Sequence, residues 1–220
     1  MDSDGQQTLF GGHGAVPASA IVMPPTPGLL FLDIEASSLL PGGHPIELAW
    51  VNQDGEGESY LVRPEPTWTL WSKESERVHG ISCQTLAAEG IPAADVARRA
   101  MEILGVQDML VCSDAPGFDG RWLATLLAAG DGGRTVEVVD VARAYERACR
   151  PLAGTVPDEW QRDRLERKFV ERAKAGEAAR PGMRHRALAD AGRLWRTWRA
   201  VENQVSEYVG LKRNAYRLLG

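Results

Sequence analysis

Three apolar runs, at about residues 29–35, 45–52 and 58–63, are joined only by short links built on "LLPGGH" and "QDGEGE". Glycine and proline in these links are turn chemistry, and links so short cannot carry a crossover between parallel strands, so the three runs form an antiparallel meander. The rest of the chain reads differently. A helix over about 93–104, the apolar run "DMLVCSD", a helix opening near Phe118 and the strand-like "TVEVVDV" alternate, which points to parallel pairing. Helices at about 158–175 and 186–208 follow, with Gly176, Pro181 and Gly182 at the break between them. The pattern predicts a single-domain α/β fold with a mixed five-stranded sheet flanked by helices.

With 220 residues, 44% hydrophobic and 25% charged, the chain can bury one substantial core. Residues 1–27 are rich in Gly and Pro without periodicity and read as a flexible tail, 28–210 as the folded domain and 211–220 as a C-terminal extension. No run of 18 apolar residues appears and the N-terminus lacks a basic stretch ahead of an apolar one, so no membrane association and a cytoplasmic location are expected. Cys83, Cys112 and Cys149 have no zinc-like spacing and read as buried thiols. The net charge of −5 hides an asymmetry: residues 1–140 hold 7 Lys/Arg against 20 Asp/Glu, net −13, and residues 141–220 hold 18 against 10, net +8. Such a basic third suits a phosphate-attracting surface, while "RDRLERKFVERAK" alone also suits a solvated helix with internal ion pairs.

Asp33 and Glu35 close the first strand. Side chains alternate along a strand, so Phe31, Asp33 and Glu35 share one face, and two acids on a half-buried surface repel unless a cation lies between them. Either a metal ion sits there or the strand has ended and both acids point into water. Asp119 stands in the first turn of a helix, where a carboxylate either caps the N-terminus or serves a site. His185 and Asp190, five residues apart, would point roughly 140° apart on a continuous helix. His185 therefore belongs in or just before the first turn, after Pro181-Gly182, with Asp190 held on the helix.

In this order "LDIE", "FDGRWL" and "HRALAD" resemble the three motifs of the DEDD exonuclease superfamily in its histidine subtype, the group of ribonuclease T, oligoribonuclease and the proofreading subunit of bacterial replicative polymerase. "VHGIS" at 78–82 is similar to that group's H-G-I segment. The likeness covers about residues 29–195 and implies a ribonuclease H-like sheet. It departs from the family at Ala36, where Thr is frequent, and at Ala115, where Asn is frequent; neither is a metal ligand.

The resemblance implies hydrolysis of phosphodiester bonds at the 3′ end of single-stranded RNA or DNA, releasing nucleoside 5′-monophosphates. It implies two Mg²⁺ or Mn²⁺ ions, with Asp33 bridging both, Glu35 and Asp190 on the nucleophile side and Asp119 on the second through water. His185 would be the general base, since imidazole chemistry suits proton transfer near neutral pH. Candidate substrate contacts are Ala36, Ser37, Leu39, Leu40, His79 and Phe118, with core packing the other role open to Phe118. Trp68 and Trp71 flank a segment near the expected site and are further candidates, whereas Trp122, Trp195 and Trp198 read as packing. Gln6 to Phe10 resembles a sliding-clamp-binding peptide. The alternative is a non-catalytic binding module that keeps the fold, although such a descendant is expected to lose a metal ligand.

Overall fold

A computed structural model of the chain describes residues 28–130, 135–182 and 185–219; the clamp-like peptide at Gln6–Phe10 lies outside them. The centre of the fold is β1 (Gly28–Ala36), whose apolar side chains are buried on both faces of the sheet. Double burial explains its unbroken apolar run, because a strand covered on one side only would alternate. β2 (Pro45–Asn52) and β3 (Gly57–Arg63) continue from it as the antiparallel meander. Gly42 and Gly55, in the two turns, both have φ of 92°, a conformation glycine adopts without a Cβ clash. A Cβ on Gly55 would also lie 2.6 Å from the Trp195 ring.

Two seven-residue helices, α1 (Lys73–His79) and α2 (Cys83–Glu89), come next, each started by a serine, Ser72 or Ser82, whose hydroxyl accepts a backbone N–H of the first turn. The two-residue strand β4 (Ile91–Pro92) and α3 (Ala93–Leu104) follow. β5 (Met109–Ser113), α4 (Pro116–Ala128), β6 (Val138–Asp140), α5 (Ala142–Cys149), α6 (Glu159–Ala178) and α7 (Ala187–Leu219) complete the chain. The sheet runs β4-β3-β2-β1-β5-β6, with β1, β5 and β6 parallel.

Among the described residues the sheet therefore has six strands where five were expected. β4 pairs with β3 over only two residues and contains a proline, too little for a periodicity to register. The helices α1 and α2 also escaped the sequence reading, and α7 runs to Leu219, beyond the expected end at 208, so the residues after 210 continue the helix. Among the cysteines, Cys112 and Cys149 are buried but Cys83, at the start of α2, is exposed. No described helix is long and apolar enough to cross a membrane.

Alternate residues of β1 serve two cores. Leu30, Leu32 and Ile34 pack with α3 and α4, whereas Leu29 and Phe31 pack with α5, α6 and α7, the Phe31 ring 5.6 Å from that of Trp198. The Phe31 face carries Asp33 and Glu35 onward toward the start of α7. A bulge between Glu35 and Ala36 then breaks the register with β2 and turns the chain away. The carboxyl ends of β1 and β5 diverge at this point, one into a turn and the other into α4, which opens a crevice where α/β sheets commonly bind ligands.

Candidate active site

The crevice is a cleft of about 470 Å³ whose lining includes Asp33, Glu35, Asp119, His185 and Asp190. Asp33, Glu35 and Asp190 each offer an oxygen within 4.8 Å of the others. Burial, then the neighbouring charges of Asp119, Glu35 and Asp190, push the Asp33 carboxyl up to about 9. Burial and Asp190 raise Glu35 to about 7. Asp119 is also raised to about 7 by burial, partly offset by hydrogen bonds from the Ser113 hydroxyl and the Ile34 backbone. Three carboxyls that resist ionisation in one cleft describe a site short of positive charge.

Local structure sets each position. Asp119 is in the first turn of α4, which begins at Pro116. Its side chain does not cap that helix and instead takes the Ser113 hydroxyl from the end of β5. Asp190 lies in the first turn of α7, with Oδ2 accepting from the His185 backbone N–H at 2.8 Å and Oδ1 from Arg193 Nε at 3.2 Å. His185 stands two residues before α7 with φ of 58° and is exposed at the edge of the cleft. The 140° separation is thereby removed: the chain is not helical at His185, and both side chains border one space.

The proposed substrate contacts divide. Ala36, Leu39, His79 and Phe118 line the cleft. Leu39 is 65% exposed and Phe118 42% exposed, so Phe118 is not a core residue; its ring lies tilted against that of Trp122, 5.5 Å between centroids, and carries the Arg121 guanidinium 5.1 Å above it. His79 is buried, its Nδ1 accepting the Ile81 N–H and its Nε2 without a hydrogen-bond partner among the described residues. Ser37 does not open onto the cleft. It is fully buried, and its hydroxyl meets His44 Nδ1 at 3.0 Å and the His44 N–H at 3.1 Å, closing the neck of the loop that projects Leu39 and Leu40. Leu40 is exposed on that loop but is not part of the cleft wall.

Trp68 and Trp71 are also placed differently from expectation. Both rings pack on buried His44, Trp68 stacked at 5.5 Å and Trp71 at 6.4 Å, and neither lines the cleft, although Trp71 donates to Glu76 and meets the cleft residue His79 edge-on at 6.5 Å. Trp122 and Trp198 are buried as read, and Trp195 donates to the Gln53 carbonyl. α1 adds Glu74, Ser75 and Val78 to the lining. Val78 and His79 fall in the "VHGIS" segment, and the serine that starts α1 stands just ahead of "KESERVH".

Part of the basic third is used internally. Arg186 and Arg193, from the start of α7, reach back to Glu47 and Asp114 of the acidic portion, and Arg196 pairs with Glu177 of α6.

No protein-family model matches the chain and no curated protein matches it in sequence. Solved structures do. The chain shares the fold of exonuclease I. The zinc-bound E. coli exonuclease I in complex with single-stranded DNA aligns at a TM-score of 0.57 and 19% identity over 88% of this chain. The moderately thermophilic exonuclease I of Methylocaldum szegediense aligns at 0.54 and 20% identity over 87%, and a product-bound exonuclease I at 0.54 and 17% over 88%. This chain spans 45–48% of the length of those proteins. At these identities the likeness establishes the fold.

Proposed function

We propose that this chain is a divalent-metal-dependent 3′ to 5′ exonuclease of the histidine subtype, acting on single-stranded nucleic acid and releasing nucleoside 5′-monophosphates. The observation that carries the reading is the meeting of Asp33, Glu35 and Asp190 oxygens within 4.8 Å, from strand and helix segments more than 150 residues apart in sequence. The donors fit the cation. They are all oxygen, as hard ions such as Mg²⁺ and Mn²⁺ require, and their burial and mutual repulsion are costs that a cation would offset.

Asp33, Glu35 and Asp190 would hold the cations between them. Asp119, already held by Ser113, would serve a cation through water. When bound, the ions supply the positive charge that favours ionisation of the attacking water and steadies the departing 3′ oxygen. His185 borders the same cleft and would accept the proton of that water. Leu39, Val78 and Phe118 give the cleft an apolar wall that would take the terminal base by stacking and contact, which every base permits.

The test is incubation of 5′-labelled single-stranded DNA and RNA oligonucleotides with Mn²⁺, with and without chelator. Stepwise shortening from the 3′ end, with mononucleotide product and full chelator sensitivity, is expected. Absence of chelator-sensitive shortening on both strands would overturn the proposal.

A further inference from the structure

We propose that Glu47 is a positioning residue for His185, acting through a clamp on the start of α7; the proposal rests on the exonuclease reading of the cleft. Glu47 lies on β2 and its side chain is 3% exposed. Its carboxylate accepts four hydrogen bonds. Arg186 Nη2 and Nε approach its two oxygens at 2.8 and 3.0 Å, the Ala187 backbone N–H at 3.0 Å and the Ser59 hydroxyl at 3.2 Å. A buried carboxylate bound in this way is a costly group made tolerable only by complete pairing.

What the clamp holds is the segment that matters to the cleft. Arg186 follows His185, and Ala187 is the first residue of α7, whose N–H has no acceptor within the helix. Glu47 supplies that acceptor from the neighbouring sheet, and its negative charge favours the helix N-terminus. On the other side, the His185 N–H is tied to Asp190 and the Asp190 N–H to the Arg186 carbonyl. Between these anchors His185 is left-handed, with φ of 58°. That conformation is unfavourable for a non-glycine residue and persists when its neighbours determine it. Releasing Arg186 and Ala187 would let the backbone at His185 relax and the imidazole leave the edge of the cleft. Glu47 itself, saturated by its four donors, is spoken for and would not serve as a fifth metal ligand.

The test is a double-mutant cycle in the full-length protein, Glu47→Gln with His185→Ala, read as kcat and KM on a single-stranded oligonucleotide with Mn²⁺. Glu47→Gln is expected to lower kcat about 10- to 100-fold, the range for groups that orient a site at one remove, with KM near that of the parent and little further loss in the His185→Ala background. In parallel, amide hydrogen exchange on the metal-free protein should show faster exchange at Ala187 in Glu47→Gln, with β1 and β5 amides unchanged. Arg186→Lys, which keeps charge but loses the fork, should recover part of kcat relative to Arg186→Ala. Equal losses of kcat with and without His185 would overturn the proposal, as would unaltered exchange at Ala187. If Glu47→Gln does not fold, Arg186→Ala, whose side chain is 39% exposed, takes its place in the cycle. If the parent cleaves nothing, the exonuclease reading falls, and exchange at Ala187 alone decides whether the clamp exists.

Discussion

Glu35 and Glu47 stand opposite each other on β1 and β2, yet the two carboxylates live in opposite circumstances. Glu47 is almost wholly buried and, among the described residues, its carboxylate accepts from a guanidinium, a hydroxyl and a backbone N–H. Glu35 opens onto the cleft, and burial, Asp190 and Glu47 itself drive its carboxyl up to about 7, with Arg186 only partly countering them. Like charges directly opposite on a sheet are destabilising. Pairing thus separates structural acids from functional ones: where partners from the chain complete it the acid is an anchor, and where they leave it incomplete the acid is available to a cation.

The contrast is broken most severely at Asp33. Asp33→Asn is expected to lower cleavage by about 10³-fold or more, since charge stabilisation by bound metal is worth several kcal/mol. The same substitution should raise the melting temperature of the metal-free protein. With the folded carboxyl at about 9 against an ordinary 3.8, the folded state holds the proton more tightly, so the contribution of Asp33 to stability is intact below pH 4 and lost as pH rises toward 9. Melts of both proteins without metal at pH 5, 7 and 9 should therefore diverge with rising pH, in favour of the variant. Added Mn²⁺ should stabilise the parent most at the alkaline end. A parent that gains stability over the variant with rising pH would show that Asp33 is already paired.

His185→Ala comes next. A positioned acid–base group typically contributes about 10²- to 10⁴-fold, so kcat should fall in that range while the dissociation constant for a non-cleaved oligonucleotide stays close to the parent value. Loss of affinity with normal turnover would remove the histidine from proton transfer and make it a binding residue.

Phe118→Ala tests the apolar wall against the acidic floor. Stacking of a base on an aromatic ring is worth about 1–3 kcal/mol, so KM should rise about tenfold with kcat largely kept. An unchanged KM would leave the terminal base without the grip assigned to this side of the cleft.

Glu58→Gln gives the smallest effect and sharpens the comparison. Glu58 is a third acid of the meander, paired in a fork with Arg99 of α3, and this pairing pulls its carboxyl below the usual range. It lies outside the cleft and its pair is well exposed to solvent, so the substitution should lower the melting temperature only slightly and leave cleavage at the parent rate. A large loss of activity would mean that pairing does not distinguish anchors from ligands.

Much of the framework was legible from the chain because its signals are periodic. The apolar run of β1 and the turn glycines located the meander, and the alternation along β1 already put Asp33 and Glu35 on one face. His185 was readable as a residue ahead of the helix because five residues of helix could not aim it with Asp190. The short pieces were not readable: β4 at two residues and α1 and α2 at seven each are below the length at which a period shows, and α1 is the piece that walls the cleft. The surroundings of Trp68 and Trp71 were not readable either, because an aromatic near a site looks the same in sequence whether it meets a ligand or, as here, a buried histidine.

The residues by themselves determined which stretches extend, which coil, and which acids could share a face, because those follow from local sterics and from the spacing of apolar side chains. Which carboxylates remain incompletely paired was settled in the folded chain. Pairing depends on groups distant in sequence, such as Arg186 reaching Glu47 across 139 positions, and no local pattern records whether a counter-charge arrives.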